Sequence, residues 1–223
     1  MASNDVLPSL AQDMIRIHKV ITRGLTVGVE RGEAYARDGF PNPGLRKGYT
    51  DYIHSLRVVL EAHHRGEDQI AFPILQGKQV TAPYETLTAD HQRIEPLLGM
   101  VAKAESQLAG GTNDAVLSEL VGLLRQLTSV WGPHIQVEEV HFTRPLLSNV
   151  MSPEEQAEVS GKMSQHAQQH ATPPFLSLPF VLYNLQTEDR AAMAAVLPRT
   201  VVEELIPKVW KEQWSAMKPF LLE

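Results

Sequence analysis

The sequence predicts an all-α protein, an up-down-up-down four-helix bundle with a C-terminal helical appendage. Three observations carry that expectation. Apolar residues recur at alternating spacings of three and four along four long segments, which is the period of one helix face. No stretch alternates with the period of two that a half-buried strand needs. After the first loop the connections are short, which favours antiparallel neighbours. A chain of 223 residues, 43% of them hydrophobic, can bury a full core. The expected division is a bundle over 1–150 and a helical extension over 151–223 packed on it.

The first segment runs from about Leu7 to Glu30, with Met14, His18, Ile21 and Leu25 on its stripe. Gly32 to Gly48, holding Gly39, Pro41, Pro43 and Gly44, reads as a loop. The second helix is expected from Thr50 or Asp51, with Ile53, Leu56, Leu60, His63, Glu67, Ile70 and Ile74 inward, stopping around Pro73 to Gly77. The third spans about Pro83 to Leu108, with Leu87, His91, Ile94, Glu95, Leu98 and Val101 inward, and Gly110-Gly111 closing it. The fourth starts after Asn113 or Asp114 and carries Leu117, Leu120, Leu124, Leu127, Trp131, His134, Glu138 and His141. From Ser152 to Glu223 the chain is helical but proline-rich, with apolar clusters such as Phe175, Leu176, Leu178 and Phe180. It reads as short helices laid on the bundle, or as a homodimer contact.

Composition excludes several functions. A formal charge of −6 argues against a nucleic-acid partner, which would meet a basic face. The absence of cysteine excludes thiolate metal sites and disulfides. No apolar run approaches the roughly 18–20 residues of a membrane span. The N-terminus, Met1-Ala2-Ser3-Asn4-Asp5, lacks the basic and apolar regions of a signal peptide, so a cytoplasmic location is the default expectation.

The chemistry lies in the histidines. His63/Glu67, His91/Glu95 and His134/Glu138 are i,i+4 pairs on inward stripes, and His18 holds the corresponding place on the first helix. Residues four apart project from one face and can grip one ion together. A carboxylate inside an apolar seam is costly unless something neutralises it. A metal pair resolves the conflict, and a mixed nitrogen and oxygen donor set of this size suits two iron ions. The predicted ligands are His18, His63, His91, His134, Glu67, Glu95 and Glu138. His64, about 100° round from His63, should point to the bundle's flank. His54 lies far from the metal layer, and His141 is a possible extra donor one turn beyond Glu138. His166 and His170 read as solvated or as a lid. Asp68 and Asp90 are candidates for orienting imidazoles, with Glu139 as a fallback for Glu138. Tyr49 and Tyr52 carry no assigned role.

The order His18, His63-X-X-X-Glu67, His91, His134-X-X-X-Glu138, with Glu67 to Pro73 as an acidic-to-Phe-Pro helix ending, resembles the hemerythrin-like (HHE cation-binding) family over roughly residues 5–150. The resemblance implies a four-helix bundle holding a non-haem di-iron centre bridged by two carboxylates and an oxo or hydroxo group. It makes Glu67 and Glu138 the bridging carboxylates and His18, His63, His91 and His134 terminal ligands. The oxygen-carrying hemerythrins have histidine where this chain has Glu95. The expected set is therefore four imidazoles and three carboxylates, which favours ferric iron over reversible oxygen carriage.

The expected function is a non-haem di-iron protein that binds oxygen, nitric oxide or iron, for sensing, scavenging or storage. The alternatives are a di-iron enzyme acting on peroxide or oxygen, motivated by Glu95, and a structural or zinc-holding bundle whose appendage mediates dimerisation. Zinc or another divalent ion could fill the same donors in a purified sample.

Overall fold

The structure is a computed structural model that describes residues 9–111 and 114–222, with only the backbone of Asp114. The expected boundaries at Leu7 and Asn113, and the chain ends, lie outside the described residues. Every regular element among the described residues is helical.

Helix α1 (Leu10–Asp38) opens on Ser9, whose Oγ accepts from Gln12 N–H at 3.4 Å, and ends at Gly39, in the left-handed region at φ 74°. Helix α2 (Pro43–Gly66) starts with Asn42 as its cap, Oδ1 accepting from Leu45 N–H at 2.9 Å, and with proline at N1. The loop expected over Gly32 to Gly48 is therefore corrected to Gly39–Asn42. The glycines that suggested it serve contact between helices. A Cβ on Gly32 would stand 2.4 Å from Tyr49 Oη, and that hydroxyl donates to Gly28 O at 2.7 Å. A Cβ on Gly48 would stand 1.9 Å from the carbonyl oxygen of Ala216.

One π-helical turn, Glu67–Ala71, joins α2 to α3 (Phe72–Gly77). Helices α4 (Tyr84–Ala109) and α5 (Asp114–His141) follow. Helix α1 packs against α2 and α5, and α4 packs against the same two, so the four long helices close a ring.

The core inside that ring falls into two apolar clusters. One is built around Leu25, Ile53, Leu56, Leu60, Ile94, Leu98, Leu124 and Leu127. The other holds Leu10, Met14, Phe72, Leu75, Leu87 and Phe142. Each fully buried leucine or isoleucine contributes about 1.5–3 kcal/mol of transfer free energy. Every long helix passes from one cluster to the other through a histidine: His18 between Met14 and Ile21, His63 between Leu60 and Phe72, His91 between Leu87 and Ile94, His134 between Trp131 and Phe142.

The rest of the chain forms α6 (Arg144–Val150), α7 (Pro153–His170), α8 (Pro174–Tyr183), α9 (Thr187–Ala195), a π-helical stretch (Val201–Val209), α10 (Lys211–Trp214) and a 3-10 stretch (Ser215–Phe220). A capping box of Ser152 and Glu155 starts α7. Helices α7 and α8 and the 3-10 stretch all pack on α2. That helix is consequently buried beyond its sequence stripe, at Thr50, Ser55, Val58, Val59, Ala62 and His64. Arg23 anchors the extension: its guanidinium donates to Phe220 O at 2.8 Å and to the Asn184 side-chain oxygen, which also accepts from Tyr52 Oη at 2.8 Å. Tyr49 and Tyr52 thus pin other elements to α2. No described helix is long and apolar enough to cross a membrane.

Candidate metal centre

The polar layer between the two clusters is the site. Leu87, His91, Ile94, Leu98 and Val101 set the seam of α4, and Leu127, Trp131, His134 and Glu138 set that of α5, each at spacings of three and four. On α2 the register changes at the site. The π turn inserts one extra residue, Phe72 N–H bonding back to Glu67 O. A single wide turn of this kind is found most often at functional positions. Sequence spacing alone puts Ile70 and Ile74 inward, whereas Ala71 and Leu75 are the buried residues, one position later.

Two donor groups result. His64, Glu67, His91 and His134 bring one ligand atom each within 4.8 Å of one another, and so do His18, His63, Glu67 and Glu138. Glu67 belongs to both. Its Oε1 is 3.2 Å from His63 Nε2 and its Oε2 is 3.6 Å from His91 Nε2. Glu138 spans the layer in the same way, Oε2 lying 3.1 Å from His18 Nε2 and Oε1 3.5 Å from His134 Nε2. The Nε2 atoms of His91 and His134 approach to 3.1 Å. On the outer side of the rings, His18 Nδ1 meets Glu139 at 3.0 Å, His91 Nδ1 meets Asp68 at 3.0 Å and His134 Nδ1 faces Asp90 at 3.7 Å. Trp131 sits among the rings of His18, His63, His64 and His134 at centroid distances of 5.5 to 6.1 Å, its indole N–H donating to Thr22 Oγ1 at 2.9 Å.

Without a cation this layer is electrostatically unfavourable. Burial, then the charges of Glu138 and Asp68, hold the Glu67 carboxyl well above its usual range. Burial and the neighbouring imidazoles push His63 and His64 well below theirs, and burial lowers His134. His18 is raised: burial lowers it, but the nearby carboxylates of Glu138 and Glu139 outweigh that. Both oxygens of Glu67, both of Glu138, and Nε2 of His18, His63 and His64 are buried without a hydrogen-bond partner. Orphaned buried polar atoms are rare in folded proteins, and here they face a common interior. Imidazole nitrogens and carboxylate oxygens form the donor set that divalent first-row metals take. The residues present fit metal cations.

The structure brings together six of the seven residues expected from sequence, His18, His63, Glu67, His91, His134 and Glu138. It does not bring in Glu95, whose side chain is exposed and joins neither group. The α4 seam runs through 87, 91, 94, 98 and 101, and position 95 falls on the flank, beside Gly99 and Ala102. His64 stands in the layer instead, stacked on His91 at 4.0 Å and 18°. The expectation that it points away fails because its ring packs between His91 of α4 and Trp131 and His134 of α5. The small residues Ala62 and Gly66 and the apolar doublet Val58-Val59 were the available signal of a wide buried face. The converging donors are therefore five imidazoles and two carboxylates.

His141 hydrogen-bonds to Val137 O at 2.7 Å, and His54 pairs with Glu105 at 2.7 Å; neither joins the layer. His166 is buried and stacked on His170 at 4.1 Å, outside both donor groups.

Fold and site together define a helical protein whose core is interrupted by a cation-holding layer. Residues 10–144 match the family model described as Hemerythrin HHE cation binding domain, and the chain belongs to that family. No curated protein and no solved structure gives a significant match.

Proposed function

We propose that the chain is a non-haem di-iron protein that binds a small molecule, oxygen or nitric oxide, at a metal pair held in an up-down-up-down four-helix bundle over 1–150, with 151–223 as a supporting extension. His64, His91 and His134 would hold one ion and His18 and His63 the other, with Glu67 and Glu138 placed to serve both. The observation that carries this reading is that Glu67 belongs to both donor groups and that Glu138 likewise turns one oxygen to His18 and the other to His134. Two anionic bridges suit a pair of cations and would be redundant around a single ion.

The chain's own residues prepare the site. Glu139 accepts from His18 Nδ1, which turns that ring's Nε2 lone pair inward, and the carboxylates of Asp68 and Asp90 stand on the Nδ1 side of His91 and His134 and favour the same tautomer there. Trp131 fills the space between four rings and keeps water out of the layer. When bound, an iron pair would supply coordination positions and electrons for a small ligand. With Glu95 outside the site, the carboxylate that motivated peroxide turnover no longer supports it, and binding is the favoured activity.

The test is anaerobic ferrous loading followed by oxygen, nitric oxide and peroxide in turn. Binding predicts ligand uptake in fixed ratio to the metal pair, with no sustained consumption of peroxide. Continuous oxygen release from peroxide would contradict it and restore the enzyme reading.

A further inference from the structure

Helix α7 carries a second polar interruption, away from the layer between the two clusters. Its stripe runs through Gln156, Val159, Met163, His166 and His170, at spacings of three and four. Gln156, Val159 and His166 are buried, Met163 is half-buried and His170 is exposed, so the stripe leads from the core to the surface. Gln156 is satisfied there, accepting from Leu10 N–H at 3.2 Å and donating to Met151 O at 3.3 Å. His166 is not: it is 8% exposed and its Nε2 is buried without a hydrogen-bond partner. The His170 ring stacks on it at 4.1 Å and 19°, and His170 Nδ1 donates to His166 O at 2.8 Å. That hydrogen bond leaves the His170 lone pair on Nε2. Met163 Sδ stands 3.1 Å, and His166 Cδ2 3.6 Å, from the point that a Cβ on Gly66 would occupy. Cδ2 is bonded to Nε2 in the ring, so this edge of the imidazole and the thioether share the notch that the missing side chain of Gly66 leaves.

We infer that Met163, His166 and His170 form a second metal site, which takes a single copper ion in its cuprous state. A thioether with two imidazoles and no carboxylate is a soft donor set and selects Cu(I), whereas the main layer, with its two carboxylates, suits harder divalent ions. Residues at i, i+3 and i+7 reach one ion from one helix face. The terminal torsion of histidine is broad, so both rings turn their Nε2 lone pairs toward that ion at little cost. Burial, then the charges of His170 and Arg65, hold His166 below its ordinary value, which keeps the imidazole neutral and able to ligate at neutral pH. Arg65 is itself paired with Glu61 at 2.6 Å, and a monovalent ion meets less repulsion from it than a divalent one. The site is separate from the di-iron centre and does not rest on that reading.

The test is an anaerobic titration of the iron-loaded full chain with Cu(I) against the chromophoric chelator bicinchoninate, in wild type, His170→Ala and Met163→Leu. Iron and copper per chain are counted in each. His170 is exposed and Met163→Leu conserves volume, so neither variant disturbs the core. The expected result is about one more tightly held copper ion per chain in wild type than in His170→Ala, at equal iron content. In Met163→Leu the Cu(I) affinity should fall about tenfold or more. X-ray absorption at the copper edge should show a copper–sulfur contact in wild type that Met163→Leu lacks. Equal Cu(I) uptake in wild type and His170→Ala, or wild-type affinity in Met163→Leu, overturns the site. A chain that takes up no iron leaves this comparison intact, because the difference between wild type and His170→Ala is read at whatever occupancy the main layer has.

Discussion

Glu95 and His64 exchange the roles that spacing assigns them. Both stand near His91, but the seam of α4 passes through 91 and 94 and leaves 95 on the flank, while His91, Trp131 and His134 take in the ring of 64. Glu95→Gln is accordingly expected to leave metal content unchanged and stability within about 0.5 kcal/mol, as for other surface substitutions. Metal counting and thermal melting of that variant check both statements. His64→Gln is expected to lower metal content, and its pH dependence follows from burial. His64 has a folded-state pKa well below 6.5, so the unfolded chain takes up a proton that the folded chain refuses. Each step below about pH 6.5 therefore penalises the metal-free wild type at this position. Comparing metal-free proteins from pH 7.5 to 5, His64→Gln should gain stability relative to wild type as the pH falls. A stability difference that stays flat, or that shifts in favour of wild type as the pH falls, contradicts the burial of a neutral imidazole. The six other residues of the layer were legible in the sequence because a polar residue repeated in phase on four apolar stripes has few structural explanations. His64 was hidden because its ring is covered by His91 of α4 and by Trp131 and His134 of α5, contacts across the bundle that no local pattern announces.

At the scale of elements, two features escaped sequence reasoning for the same physical reason, namely that tertiary contact overrides local preference. Gly32 and Gly48 have the composition of a loop, yet both lie in helices because another element comes too close for a side chain. The π turn at Glu67–Ala71 has no signature in the spacing. It is visible only in the one-residue slip from Ile70 and Ile74 to Ala71 and Leu75. The close approach at Gly48 is testable. A methyl group there collides with the Ala216 carbonyl, so Gly48→Ala should detach or shift the 3-10 stretch Ser215–Phe220 and cost about 1–3 kcal/mol. Denaturant melting measures the loss, and amide exchange should localise it to α2 and the last residues of the chain. A gain in stability, the usual result of glycine to alanine in an open helix, would show that the two backbones are not in contact.

For the molecule as a whole, the extension is part of the fold that carries the site. Phe180, Leu182, Trp214, Met217 and Phe220 belong to the same apolar cluster as Leu25, Leu56 and Leu124. The polar layer divides that cluster from the smaller one, so the donors are gripped from above and below by rigid packing. The seven side chains converge with orphaned atoms toward two overlapping groups; Glu67 is common to both, and Glu138 reaches from His18 to His134. The most direct test is the number of ions bound at saturation, counted in wild type and in Glu67→Ala. The account predicts two per chain in wild type and loss of both from Glu67→Ala, since that carboxylate serves each group. One ion or none in wild type, or two retained in Glu67→Ala, would contradict a paired centre.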